Sequence, residues 1–313
     1  MKHNKKINFT NGGVHVHIGL IGLGKMGYPL ALNLLDHDHT VTGTDTAAEN
    51  KSALEDAGGT SAASMKEVIA SLPTPRVVWL MVPAGDITDQ VIQEASALME
   101  EGDILVDGGN SNYEVSMNHG IELKKKGIYF VDVGTSGGVD GARNGACMMV
   151  GGEEPAIAQL EQVLEDVTID DGYLHAGPPG SGHFLKMIHN GIEYGMMQSI
   201  AEGFDILEKS PFDYNYESVA KVWNHGSVIR SWLMELTQEA FRKDERLENI
   251  RGVMNSSGEG KWTVETALNL QVPAPVISLS LMMRYRSLED DTFTGKVVAA
   301  LRNEFGGHDV VKK

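Results

Sequence analysis

Positions 186 to 194 read Lys-Met-Ile-His-Asn-Gly-Ile-Glu-Tyr, with an amine, a carboxyl and three further polar side chains close together. On a helix advancing about 100° per residue, with Lys186 at zero, Glu193 falls at roughly −20°, Asn190 at roughly +40°, His189 at roughly −60° and Tyr194 at roughly +80°. All of them share one stripe, so a lysine base and a glutamate acid can address a common ligand. Such a stripe usually does no more than face water, because lysine and glutamate are commonplace on surface helices. Leu185, Ile188, Ile192 and Met196 fall on the opposite side. The pattern therefore predicts a helix whose apolar back is buried and whose polar stripe faces a cleft.

The elements that must position this helix come earlier in the chain. Val16 to Ile21 reads as a buried parallel strand, followed at once by Gly22-Leu23-Gly24-Lys25-Met26-Gly27. A helix from Met26 to about Asp36, a second apolar run Thr40 to Thr44, and then Asp45 complete the unit. Glycine spacing alone is a weak signal, but this ordered set is a strong one for a dinucleotide site. The glycines let the backbone approach a pyrophosphate at the helix N-terminus, and the acid accepts hydrogen bonds from the adenosine ribose. Arg76 to Val82, Asp103 to Asp107 and Ile128 to Asp132 predict further strands of a doubly wound, Rossmann-type α/β sheet. Ligands of such sheets sit at the carboxyl ends of the strands. Val82-Pro83-Ala84-Gly85, Gly108-Gly109-Asn110-Ser111 and Gly134-Thr135-Ser136-Gly137-Gly138 are thus expected to line the cleft.

Around Gly177 to Gly182 the composition shifts, and helical periodicity follows: a helix carrying Lys186 to about Lys209, then Tyr216 to Arg242 and Thr263 to Asn269. The expected organisation is a disordered leader over 1–14, a dinucleotide-binding domain over 15–180, and an all-helical substrate and oligomerisation domain over 181–313.

The 313 residues are ample for two cores, and a formal net charge of −17 argues against a nucleic acid or an anionic membrane as partner. An anionic substrate would have to be held by cations gathered locally. No run is long enough for a membrane span, and Lys2, Lys5 and Lys6 precede no secretory apolar stretch, which together with the single cysteine predicts a cytoplasmic protein. Cys147, beside Met148 to Val150, is expected to be a small core residue. The histidines show no metal-ligand spacing, so no metal is expected, and His15, His17, His37 and His39 read as structural or exposed.

Taken together, these segments resemble the 6-phosphogluconate dehydrogenase family, in the short form whose helical domain is not duplicated. Gly22 to Gly27 resembles its coenzyme loop, Asp107 to Ser111 its substrate loop, and Gly134 to Gly138 its Ser-Gly-Gly turn. Gly182 to Tyr194 is close to a signature for it. Gly258 to Thr263 resembles its Gly-Lys-Trp-Thr element, Arg284 its phosphate-binding arginine, and Arg302 to His308 its tail.

The resemblance implies oxidative decarboxylation of 6-phosphogluconate to ribulose 5-phosphate and CO2, a reaction of the pentose phosphate pathway. Lys186 would be the base at the 3-hydroxyl, which needs an amine with a lowered pKa, and Glu193 the acid that protonates C1 of the enediol left after decarboxylation, which needs a raised one. The coenzyme would be held by Gly22, Leu23, Gly24, Lys25, Met26, Gly27, Asp45, Val82, Pro83 and Asn110. Asn110, Ser136, Gly137, Gly138, His189 and Asn190 would hold the carboxylate and hydroxyls, and Tyr194, Lys261, Arg284, Arg302 and His308 the phosphate. NADP-dependent members carry Asn-Arg-Thr after the second strand, whereas this chain has Asp45-Thr46-Ala47, so NAD is the expected coenzyme. A homodimer or homotetramer that shares its active site between subunits is implied too. Two competing readings are a β-hydroxyacid dehydrogenase of the same superfamily acting on a small 3-hydroxy acid, and a coenzyme-sensing binding protein without catalysis.

Overall fold

A computed structural model describes residues 15–312. Its elements, in chain order, begin with β1 (His17–Ile21), α1 (Gly27–Asp36), β2 (Thr40–Thr44), α2 (Ala48–Asp56), β3 (Thr60–Ser61), α3 (Met65–Ser71), β4 (Val77–Leu80), α4 (Asp86–Ser96), β5 (Ile104–Asp107), α5 (Tyr113–Lys124), β6 (Tyr129–Ser136), α6 (Gly138–Asn144), β7 (Ala146–Gly152), α7 (Glu154–Asp166) and β8 (Thr168–Gly177). Only helices follow among the described residues: α8 (Ser181–Glu208), α9 (Tyr216–Asn224), α10 (Trp232–Lys243), α11 (Gly258–Asn269), α12 (Pro275–Arg286) and α13 (Phe293–Gly306).

The sheet has the order β3-β2-β1-β4-β5-β6-β7-β8. Its first six strands are parallel and wind outward from the β1/β4 junction, the strand order that leaves a crevice at their carboxyl ends. Successive side chains alternate between two buried layers. Ile18, Leu20, Trp79 and Val106 enter one, and Ile21, Val78, Leu80 and Leu105 the other. Burial on both faces is why these strands read as unbroken apolar runs rather than as alternating ones.

The strand pair β6/β7 is antiparallel, and β8 then adds parallel to β7, so the sheet is mixed and extends beyond the strands read from sequence. Cys147 is exposed, contrary to expectation. Its neighbours Ala146 and Met148 point into the core, and a register irregularity against β8 falls between them. Period-2 alternation thus turns the thiol outward. The helical periodicity expected to run from Tyr216 to Arg242 is also interrupted. α9 ends at Asn224, and Gly226, with φ of 85°, precedes the start of α10.

The chain divides into two compact units, the first ending at Met187 and the second starting at Ile188, inside α8. The second unit has its own aromatic core of Phe204, Tyr216, Met234 and Phe241. α13 contributes no buried residue. Among the described residues no helix is long and apolar enough to cross a membrane. The leader expected over 1–14 lies outside the described residues.

Candidate active site

In the first unit the loop after β1 has the geometry a pyrophosphate needs. Gly22 has φ of 94°, and its N–H donates to Thr44 O at 2.9 Å, which ties the loop to β2. A Cβ on Gly27 would sit 2.0 Å from Gly22 O, so no other residue lets α1 start this close to the loop. A Cβ on Gly24, by contrast, would meet nothing within 4 Å. Backbone is therefore open there, at the start of a helix that no side chain caps. Lys25 is exposed and Met26 partly buried at the same helix start, while the Leu23 side chain is buried in the core and leaves only its backbone to the loop.

Asp45 follows β2 and grips that backbone. Its carboxylate accepts from Leu23 N at 2.6 Å and Ala47 N at 2.8 Å. Burial pushes its pKa up, but these backbone N–H donors outweigh that effect and hold it below the usual carboxylate value. An uncapped helix start, open backbone at Gly24 and an ionised acid at the end of β2 together fit a dinucleotide. Val82 and Pro83 follow β4, Val82 partly buried and Pro83 exposed, and Pro83 O accepts from Thr88 Oγ1 at 2.9 Å, which folds that loop into α4.

The loop after β5 is set by Asp107, whose carboxylate accepts from Gly109 N at 3.0 Å and Ser111 Oγ at 2.7 Å. Asn110, between those anchors, is exposed. After β6, Gly137 and Gly138 have φ of 115° and 60° and turn the chain from Ser136 into α6. Lys186 is only 6% exposed. Its stem lies on β6, where a Cβ at Gly134 would come within 2.3 Å of Lys186 Cβ.

α8 continues into the second unit with His189, Asn190, Glu193 and Tyr194. His189 Nδ1 lies 2.9 Å from Asn190 Oδ1 and 3.9 Å from Glu193 Oε2. Asn190 and Tyr194 are buried, and Glu193 is half-buried. The Tyr194 hydroxyl lies 3.1 Å from Ser257 Oγ and accepts from Ser257 N at 3.1 Å. The Arg284 guanidinium stacks on the Tyr194 ring at 3.6 Å and donates to Asn255 O at 2.9 Å. Lys261 is exposed on α11, with its ammonium 3.4 Å from Glu265. Tyr194, Ser257 and Arg284 thus form one cluster, near which a fork-shaped cation and several donors suit a phosphate. Arg302 and His308 are exposed, and the contacts around His308 are local, its carbonyl accepting from Asn303 Nδ2 at 2.8 Å.

One expectation for α8 is reversed. Ile192 and Met196, read as its buried back, are 52% and 42% exposed, whereas Lys186, Asn190 and Tyr194 are buried. A glycine explains the inversion in the second unit. Gly191, about 60° from Tyr194 around the helix, lets Thr263 pack closely on that side. Side-chain chemistry alone favours the opposite face.

Sequence reasoning missed Asp132, whose carboxylate accepts from Gly180 N at 2.6 Å and His183 N at 2.7 Å. It also passed over Asp107 as an organiser and Ser257 as a partner of Tyr194. Asp107, which closes β5, and Asp132, midway along the otherwise apolar start of β6, were a usable signal, since a buried charge in an apolar run needs hydrogen-bond donors nearby.

Comparison with known proteins identifies the family. Residues 17–172 match the NAD binding domain of 6-phosphogluconate dehydrogenase, and residues 182–309 match the 6-phosphogluconate dehydrogenase C-terminal domain. The chain is 57% identical over 296 residues to YqeC of Bacillus subtilis (strain 168), whose name assigns it provisionally to 6-phosphogluconate dehydrogenase; the match covers 95% of this chain and 99% of that one. It is 41% identical over 300 residues to the NAD(+)-dependent, decarboxylating 6-phosphogluconate dehydrogenase of Haloferax volcanii, again covering 95% and 99%. Among solved structures, Plasmodium falciparum 6-phosphogluconate dehydrogenase, studied in its apo form, with NADP+ and with 6-phosphogluconate, superposes with a TM-score of 0.81 at 29% identity, over 95% of this chain and 66% of that one. The chain belongs to the 6-phosphogluconate dehydrogenase family.

Proposed function

We propose that this protein oxidises and decarboxylates 6-phosphogluconate to ribulose 5-phosphate and CO2 with NAD as its coenzyme. The observation that carries this reading is a buried Lys186 on the same helix as Glu193 and as Tyr194, which Arg284 stacks upon. A small 3-hydroxy acid would have no use for the guanidinium of Arg284 at Tyr194. A coenzyme sensor without catalysis would have no use for the buried amine.

Gly22, Leu23, Gly24, Lys25, Met26, Gly27, Val82, Pro83 and Asn110 would hold NAD, with Asp45 on the adenosine ribose hydroxyls. When bound, NAD supplies the acceptor for the hydride that leaves C3 of the substrate. The neutral amine of Lys186 takes the proton of the 3-hydroxyl. Protonated Lys186 then faces the 3-keto oxygen and stabilises the charge that grows there as C1 leaves as CO2. Glu193 delivers a proton to the carbon that carried the carboxylate, converting the enediol to the ketose.

Asn110, Ser136, Gly137, Gly138, His189 and Asn190 orient the carboxylate and hydroxyls. Tyr194, Lys261 and Arg284 hold the phosphate. Arg302 and His308 complete the phosphate end from a second copy of the chain, in a homodimer or homotetramer. Two facts support the assembly: α13 buries nothing in its own chain, and the apolar side of α8 is left open at Ile192 and Met196. Isolated helices of this length are marginal in water, so α13 needs a partner surface.

NAD over NADP is supported by Asp45 with Thr46 beside it, and by the NAD dependence named for the archaeal relative. Turnover of 6-phosphogluconate compared with 3-hydroxyisobutyrate tests the reading. The phosphorylated sugar acid should be the better substrate by orders of magnitude in kcat/KM, and a preference for the small acid would overturn it.

A further inference from the structure

The base proposed above has an aiming device that the catalytic reading does not use. Four N–H groups at the start of any helix lack partners within the helix. The chain before α8 reads Gly177-Pro178-Pro179-Gly180, which offers no side-chain oxygen to receive them. The acceptor comes instead from β6. Asp132, fully buried, spends one carboxylate oxygen on Gly180 N at 2.6 Å and the other on His183 N at 2.7 Å. An anion there is also well placed against the positive end of the helix dipole.

Two further contacts make this clamp rigid. His183, only 2% exposed, has its Nδ1 2.8 Å from Ser116 Oγ, which joins the first turn of α8 to α5. Gly182 brings that turn onto the sheet, since a Cβ there would stand 2.5 Å from Met149 O and 2.6 Å from Asp132 O. Lys186 follows less than one turn after His183, and its stem passes over Gly134, two residues beyond Asp132 on the same strand. The root of the Lys186 side chain is therefore held at the end of a short chain of fixed links.

We propose that Asp132 is a positioning residue for Lys186, capping α8 from the sheet so that the amine meets the substrate in register; this rests on Lys186 being the base. A base displaced by about 1 Å forfeits roughly a hundredfold in rate. A residue needed only for folding would instead lower the amount of active enzyme and leave each surviving site unchanged.

The experiment compares wild type, Asp132→Asn, Asp132→Ala, Ser116→Ala and Lys186→Ala as full-length protein with NAD. It reads kcat, the Kd for NAD, the primary isotope effect with substrate deuterated at C3, and amide exchange at His183. We expect kcat to fall by about tenfold in Asp132→Asn and about a hundredfold in Asp132→Ala. NAD affinity should stay within about twofold, the isotope effect should rise as the chemical step becomes limiting, and the His183 amide should exchange at least about tenfold faster.

An unchanged isotope effect, with kcat falling only as the folded fraction falls, would overturn the proposal, as would wild-type protection of His183 in Asp132→Ala. Should Asp132→Ala not fold, Asp132→Asn and Ser116→Ala carry the same expectation in milder form. Full activity in Lys186→Ala would refute the base, whereas full activity in Asp132→Ala beside an inactive Lys186→Ala would refute the positioning role alone.

Discussion

Replacing Asp45 by Asn and Thr46 by Arg should move coenzyme preference towards NADP, and the size of the shift follows from the loop geometry. Asp45 is held ionised by Leu23 N at 2.6 Å and Ala47 N at 2.8 Å, and those bonds fix its carboxylate at the carboxyl end of β2. A 2′-phosphate would approach that carboxylate in place of the ribose hydroxyl. Two unit charges about 4 Å apart repel by about 4 kcal/mol at an effective dielectric near 20. Asp45 is partly exposed, so screening removes much of this, and about a third of it, ~1.4 kcal/mol, already gives a tenfold preference for NAD.

The double variant removes the repulsion and adds a fork of donors, so the ratio of kcat/KM for NAD to kcat/KM for NADP should drop at least about tenfold. Asparagine keeps only one acceptor for the two N–H groups, which loosens the glycine loop. That cost falls on both coenzymes and cancels in the ratio. Initial rates of nicotinamide reduction under saturating 6-phosphogluconate measure both terms. A wild-type ratio near one, or a double variant with the wild-type ratio, would refute the role given to Asp45.

Lys186→Ala should abolish coenzyme reduction while NAD affinity stays nearly intact, and retention of more than about a tenth of the activity, a barrier change under ~1.4 kcal/mol, would exclude the lysine as base. Glu193→Gln should slow turnover strongly while a first burst of reduced coenzyme survives, because the acid acts only after CO2 has left; loss of the burst together with turnover would place Glu193 in the first step. Mixing Lys186→Ala with the double variant Arg302→Ala, His308→Ala should restore about a quarter of wild-type activity in a randomly reassociated dimer, since half of the molecules are hybrids with one intact site in two. No recovery after verified exchange would confine the tail to its own chain.

The central strands and the glycine loop were legible because burial on both faces writes an unbroken apolar run and because Gly22 and Gly27 have no steric substitute. β8 was not. It lies at the sheet edge, and Asp170 and Asp171 within it are exposed, so it lacks the apolar signature of its neighbours. Helix α8 was legible as an element, yet its buried face was read the wrong way round. Polarity predicts which side chains prefer water, but the contacts made at Gly191 and Gly195 depend on helices dozens of residues later. The partners of Asp132 could not be read for the same reason, because Gly180 and His183 lie 48 and 51 residues further on. Lys186 and Glu193 were singled out by type and spacing and given their roles by the family resemblance, whereas the grouping of Tyr194 with Ser257 and Arg284 required the fold.

The most direct measurement follows reduced coenzyme and released CO2 together in purified protein given 6-phosphogluconate and NAD. The chemistry proposed for Lys186 and Glu193 predicts one CO2 for each NADH, with ribulose 5-phosphate as the remaining product. NADH formed without CO2, or no NADH from 6-phosphogluconate while a small 3-hydroxy acid is oxidised, would contradict it.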